Sequence, residues 1–289
     1  MLTISNARPC WSVAALSALS VLLLAQPVMA QEEPPDESNA SAPAKEQSTE
    51  TSDDDKDAID DDLDVVASDR PGFTDSSVVL PPQSFQLEAG ASFDVMDQQT
   101  SFDPLNVVAR YGVVELFELR LGVNALGVDG VGNASTATDF SPVSDVTLGG
   151  KVGAQLSDMV SLGVLPYVSA NEVSSDVAVS GGVNALLDLT AGEPLSLTFN
   201  LGVANIEDSD GNRGFETSGG MSLNIGIIDD LDAYWELYAI LPPEQDIGLY
   251  TDGGVMYRLT DTLQVDAWIG VQIPEASSII GGIGVAYRI

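Results

Sequence analysis

From Gly253 to Ile289 apolar side chains recur at every second position. One parity reads Gly253, Val255, Tyr257, Leu259, then Leu263, Val265, Ala267, Ile269, Val271, Ile273, then Ile279, Gly281, Ile283, Val285, Tyr287, Ile289. The other parity holds Asp252, Arg258, Gln264, Asp266, Trp268, Gln272 and Arg288. Successive side chains of a strand point to opposite faces, so each segment has one apolar and one polar or small face. The segments run about ten residues, the length a tilted strand needs to cross a bilayer. A soluble sandwich alternates too, but its strands are nearer five or six residues.

The same rhythm runs back through the chain. It predicts strands near 84–95, 105–114, 118–126, 144–156, 160–171, 177–190, 195–206, 215–228, 233–242, 248–259, 263–273 and 279–289. About twelve strands is an even number, as bacterial single-chain barrels require. The connections alternate in character. Val114-Glu115-Leu116-Phe117-Glu118, Leu156-Ser157-Asp158-Met159-Val160, Ala191-Gly192-Glu193-Pro194, Ile228-Asp229-Asp230-Leu231-Asp232 and Leu259-Thr260-Asp261-Thr262-Leu263 are short. Those around 96–104, 127–143, 172–176, 207–214 and 242–246 are longer or more polar. Short periplasmic turns and longer outer loops have this polarity. The expected fold is all-β: a transmembrane antiparallel up-and-down barrel of about twelve strands, preceded by a disordered acidic leader.

Lipid-facing candidates are Leu119, Leu121, Val123, Val146, Leu148, Val152, Leu197, Phe199, Leu201, Leu223, Ile225 and Ile227. Phe85, Phe93, Tyr111, Phe215, Trp235, Tyr257 and Tyr287 fall near strand ends on that face, where rings prefer the headgroup level.

The charge is lopsided, with 44 acids, 10 bases and no histidine. Without basic clusters there is no electrostatic footprint for nucleic acid. Without histidine the commonest general base and metal ligand is missing. The only cysteine, Cys10, precedes the expected export cleavage site, so no disulfide is expected in the mature chain. No catalytic, cofactor-binding or metal-binding residue is assigned.

Residues 1–30 read as a secretory signal peptide: Arg8, an apolar run from Trp11 to Ala25, then Val28-Met29-Ala30. Residues 31–67 are low in complexity, with Asp53-Asp54-Asp55 and Asp60-Asp61-Asp62 and little to bury. Residues 68–83 form an N-terminal segment on the periplasmic side, and the barrel fills 84–289. Whether this segment plugs the lumen or lies against the rim stays open at this level.

The segment carries Ser68-Asp69-Arg70-Pro71-Gly72-Phe73-Thr74-Asp75-Ser76, then Pro81-Pro82 and Phe85-Gln86-Leu87-Glu88-Ala89-Gly90. With Gly254, Tyr257, Arg258 and Asp266 near the end, and Gly284 with Tyr287-Arg288 in the last strand, the chain resembles a known family from Ser68 to Ile289. That family is the outer-membrane barrel transporters of the phenol-degradation (MetA-pathway) type. The resemblance marks Asp69, Arg70, Pro71, Phe73 and Thr74 as the family motif. It implies small apolar or aromatic solutes.

The inward parity supplies the lumen and constriction candidates: Glu88, Arg110, Arg120, Lys151, Asp188, Tyr234, Glu236, Tyr238, Asp252, Arg258, Asp266, Trp268 and Arg288. A Lys or Arg facing lipid at the midplane costs about 2–4 kcal/mol, which favours an inward placement. These residues could select solutes, as rings of charge do in channels. They could equally pair and fill the barrel: Arg258 with Asp252 or Asp266, and Arg110 with Glu88. The expected function is a passive channel or transporter in the bacterial outer membrane, with its leader in the periplasm. Its partners would be lipid, the barrel-insertion machinery and a small solute. The alternatives are a non-conducting barrel that engages a partner through leader or loops, and a secreted soluble sandwich.

Overall fold

The computed structural model describes residues 65–96, 99–131, 139–173, 176–207, 211–243, 245–273 and 278–289. The expected signal peptide and the leader up to Asp64 lie outside the described residues.

Twelve strands follow one another: β1 (Phe85–Met96), β2 (Gln99–Val114), β3 (Phe117–Val131), β4 (Asp139–Ser157), β5 (Val160–Val173), β6 (Asp176–Thr190), β7 (Leu195–Glu207), β8 (Arg213–Ile228), β9 (Leu231–Leu241), β10 (Gly248–Thr260), β11 (Leu263–Ile273) and β12 (Ser278–Arg288). Each pairs antiparallel with its sequence neighbours, and β1 pairs with β12 to close the barrel. Closure leaves no strand edge without a partner, which a bilayer demands because lipid cannot hydrogen-bond a free backbone group.

Several strands run past their expected ends on the side away from the short turns. β2 starts at Gln99 and β4 at Asp139, where alternation suggested 105 and 144. The added residues, such as Gln99-Thr100-Ser101 and Asp139, are polar and carry no apolar rhythm. Backbone pairing continues there regardless of the side chains, for instance Thr100 opposite Val131. The apolar pattern reports the part of a strand that meets lipid, and the ladder extends beyond it.

The molecule is apolar outside and ionic inside. Leu148 is 56% exposed and Phe215 69%, while Arg110 is 1% exposed and Lys151, Glu118 and Glu236 are 0%. In water this would waste apolar area at about 25 cal/mol per Å². In a bilayer it is the favourable arrangement. The aliphatic rows form a continuous outer belt, and they do not meet across a dry interior. All seven aromatics expected at strand ends, from Phe85 to Tyr287, are exposed on the outer face.

Candidate functional site

Residues 65–84 fold into the barrel as a re-entrant loop. At the rim, the Val66 amide donates to the Asp261 carbonyl in the β10–β11 turn at 2.6 Å. Arg288 donates to the Val65 carbonyl at 2.8 Å. Gln86 and Arg110 each donate to the Ala67 carbonyl at 2.9 Å. Residues 65–67, expected to end the leader, are therefore already tied to the wall. The loop returns to the same rim, where the Gln83 amide donates to the Gly112 carbonyl at 2.7 Å. The loop enters and leaves at the short-turn end and does not thread the pore.

Asp69 is the anchor on one side. Its carboxylate lies 2.6 Å from Lys151 Nζ, 2.9 Å from Arg120 and 3.2 Å from Arg110. Burial works against its charge, but Arg110, Lys151 and Arg120 outweigh that and hold the carboxyl well below the usual carboxylate range. Arg110 grips Glu118 with two nitrogens at 2.9 Å and reaches Glu88 at 3.0 Å. Arg120 also meets Asp75 at 3.1 Å. Burial raises the Asp75 carboxyl above its ordinary value despite Arg120, and Asp69 adds to the rise. Arg110 and Arg120 are direct cross-strand neighbours on β2 and β3. Like charges so placed repel, and the loop's two aspartates sit where that repulsion needs relief.

The tip of the loop reaches the opposite wall. Glu236 accepts hydrogen bonds from the Phe73 amide at 2.5 Å, the Thr74 amide at 2.7 Å and the Thr74 hydroxyl at 2.5 Å. The Phe73 ring stacks on Tyr238 at 4.3 Å with 4° between planes, and Tyr238 stacks on Tyr250 at 5.1 Å. Arg70 donates to Asn106 at 2.6 Å and lies 3.6 Å from Asp266. On the way back Asp188 accepts from the Ser77 amide and hydroxyl at 2.6 and 2.5 Å. Glu118 accepts from the Leu80 amide at 2.8 Å.

Two glycines make the seat. A Cβ on Gly112 would stand 2.0 Å from the Pro81 carbonyl oxygen, and one on Gly153 would stand 2.1 Å from that of Ser77. Only a residue without a side chain lets loop and wall backbones approach so closely.

Between the loop and the wall of β6–β10 lies a cavity of about 870 Å³. It is lined by Arg70, Pro71, Asp188, Thr198, Ser222, Asn224, Tyr234 and Glu236 among others, and it reaches the short-turn rim at Glu193-Pro194 and Asp229.

The structure thus gathers most of the inward candidates around the loop. Glu88, Arg110, Arg120 and Lys151 meet Asp69; Glu236 and Tyr238 meet Phe73 and Thr74; Asp188 meets Ser77; Asp266 meets Arg70; Arg288 meets Val65. Tyr234, Asp252 and Trp268 lie on the same face of β9–β11. Arg258 is the exception. In place of Asp252 or Asp266, it pairs with Asp230 at 3.6 Å and donates to the Asp229 carbonyl, both in the β8–β9 turn. Arg258 sits two residues from the end of its strand, too near the rim to reach acids deeper in the lumen.

Sequence reasoning left out Glu118, taken there as part of a turn, and the loop residues Asp75, Ser77 and Leu80. Glu118 shares the inward parity of Arg120, so its signal was present. The loop residues have no strand rhythm to reveal them.

A closed antiparallel barrel with an apolar belt, an ionic lumen and a loop folded into it is a transmembrane β-barrel of the outer-membrane type. Residues 68–289 match the family described as "Putative MetA-pathway of phenol degradation", and the chain belongs to that family. No curated protein matches it in sequence. Among solved structures, it is similar to an outer membrane channel from Pseudomonas putida F1, with TM-score 0.61 and 13% identity over 76% of this chain and 99% of that one. It is also similar to the NanC porin, with TM-score 0.50 and 12% identity over 70% of this chain and 100% of that one. The KdgM porin in complex with oligogalacturonate aligns with TM-score 0.50 and 9% identity over 70% of this chain and 98% of that one. At these identities the likeness is one of fold.

Proposed function

We propose that this protein is a passive outer-membrane channel for small molecules, with its short-turn end in the periplasm and its lumen occupied by the 65–84 loop in a resting form. The observation that carries the reading is a closed barrel with polar walls that encloses a cavity of about 870 Å³. Fold relatives named as porins and as an outer membrane channel support it. The family's description makes small aromatic compounds candidate solutes, and Tyr234 in the cavity lining offers a ring for stacking. The Val66 amide bond to the Asp261 carbonyl puts the start of the loop at the short-turn end, which supports a periplasmic leader in this reading. The reading assigns no catalytic residue and no cofactor.

One observation favours a second reading, a barrel that does not conduct and serves a partner. The loop is bound to many wall strands through buried ion pairs and short hydrogen bonds. Planar-bilayer recording and liposome swelling with a graded solute series decide between the two. Conductance steps and solute flux, rising when residues 68–82 are replaced by a Gly-Ser linker, support the gated channel. A folded barrel that stays silent with the loop replaced refutes it.

A further inference from the structure

The inner face of β5–β8 leaves five oxygens without a hydrogen bond among the described residues: Asn200 Oδ1, Asn184 Oδ1, Glu216 Oε1, Ser169 Oγ and Asn171 Oδ1. Their residues are only 3–8% exposed. A buried polar atom is costly unless a water or an ion meets it. Elsewhere in the lumen the unbonded atoms include nitrogens, such as Gln264 Nε2 and Trp268 Nε1. On this wall all are oxygens.

The register sets one of them at each successive inward position of β6. Asn200 lies opposite Leu186, and Asn184 is the next inward residue. Glu216 pairs with Ala204, which pairs with Gly182. Ser169 lies opposite Ser180, and Asn171 opposite Ala178. From 186 to 178 the row runs roughly 27 Å, at about 3.4 Å per residue. At its inner end Asn200 donates from Nδ2 to the Asp75 carbonyl of the loop at 3.1 Å, which identifies its unbonded atom as the oxygen. The next inward residue of β7, Thr198, belongs to the wall of the large cavity.

The packing leaves little width. Asn184 Oδ1 leans over Gly202, 2.0 Å from where a Cβ would stand, and the Tyr167 hydroxyl lies 2.7 Å from that of Gly182. A void of about 10 Å³ remains between Asn184, Asn200, Ser218 and Phe73. It has room for one water or one bare ion and for nothing of solute size.

Charge decides the occupant. Arg213 is the one base in β5–β8, and it is exposed, on the outward parity of Phe215, and paired with Glu207. Arg110, Arg120 and Lys151 stay in their ion pairs on β2–β4. An ionised Glu216 needs a counter-charge here, and among the described residues no side chain of this wall supplies one. A divalent ion asks for six or more oxygens, and the row offers one carboxylate. A monovalent cation fits, because amide and hydroxyl oxygens can replace part of its water shell, as carbonyl oxygens do in selective pores.

We propose that the inner face of β5–β8 carries a single-file path for small monovalent metal cations, Na⁺ or K⁺, past the seated loop and into the cavity. The path needs no movement of the loop, so it goes beyond the solute route of the channel reading.

The test is planar-bilayer recording of the full chain under a KCl gradient, then in N-methylglucamine chloride, whose cation is too large for the file. Small potassium currents with a cation-selective reversal potential are expected, and no current carried by N-methylglucamine. Asn184→Leu removes one oxygen and should lower potassium conductance about fivefold, the loss of one bonded oxygen. Glu216→Gln keeps an oxygen but removes the charge, and should move the reversal potential towards zero. Heat-modifiable migration shows whether each variant has folded. An unsubstituted barrel that is silent, that passes chloride as readily as potassium, or that carries N-methylglucamine overturns the proposal. So does unchanged potassium conductance in a folded Asn184→Leu barrel or, where that variant does not fold, an unchanged reversal potential in Glu216→Gln. Potassium current with the loop in place, and no solute flux after its replacement, overturns the channel reading and leaves the path. Solute flux after replacement, and no potassium current before it, overturns the path and leaves the channel.

Discussion

Asp69→Asn tests what holds the loop in the lumen. Asparagine keeps the shape and removes the charge. Arg110 retains Glu118 and Glu88, and Arg120 retains Asp75. Lys151 loses its close partner at 2.6 Å and keeps only Glu118 at 3.9 Å and the Val78 carbonyl at 3.1 Å. The cost therefore falls on one fully buried ammonium. Breaking one buried pair costs about 3–5 kcal/mol, and the lower end applies because Glu118 remains in range. A loss of about 3 kcal/mol shifts the ratio of seated to unseated loop by roughly 150-fold. Hydrogen exchange reads this directly, since the Phe73 and Thr74 amides are bonded to Glu236 only while the loop is seated. Their protection should fall by roughly that factor, while amides of the β9–β10 ladder keep theirs. Sodium chloride should not restore protection, because the cluster is closed to solvent. Unchanged Phe73 and Thr74 protection would refute the ion-cluster account. Equal loss across the strand amides would refute the claim that the cluster secures the loop and not the barrel.

Other perturbations reach the same loop through different physics. Gly153→Ala places a Cβ against the Ser77 carbonyl and should unseat the loop without touching any charge, seen as rapid maleimide labelling of a Thr74→Cys reporter. In the Thr74→Cys reporter the two amides of residues 73 and 74 remain as donors to Glu236, one on each oxygen; Glu236→Gln keeps one acceptor oxygen for them, so the tip should loosen by about 1–3 kcal/mol in the same labelling assay, less than Asp69→Asn loosens the base. The raised Asp75 carboxyl makes its contribution to loop seating fully present below the ordinary carboxylate value and lost as pH rises through the raised one. Labelling of Thr74→Cys should therefore slow on acidification from neutral pH, and the part of that slowing due to Asp75, which faces Arg120 and Asp69, should vanish in Asp75→Asn. On the outer face, Leu148→Arg should destabilise the folded barrel by about 2–4 kcal/mol in urea titrations in lipid, whereas Leu148→Phe should be nearly neutral.

The amino-acid order alone determined the barrel. A period of two is local, and the solvent on each side of a strand selects which parity is greasy. Leu119, Leu148, Val255 and Ile283 could thus be assigned outward, and Glu88, Lys151, Glu236 and Asp266 inward, before any strand was paired. Strand ends were read short at Gln99 and Asp139, because hydrophobicity stops where lipid stops and backbone pairing does not. Only the tertiary structure decided how the lumen is used. The ladder register brings Arg110 beside Arg120 and Glu236 beside Asp252, and closure sets those two pairs on facing walls. The loop from Val65 to Ser84 has no periodicity, and its partners lie as far away as Asp188, Glu236 and Arg288. Contacts across a closed space depend on where every strand ends up around the ring, and no stretch of sequence contains that on its own.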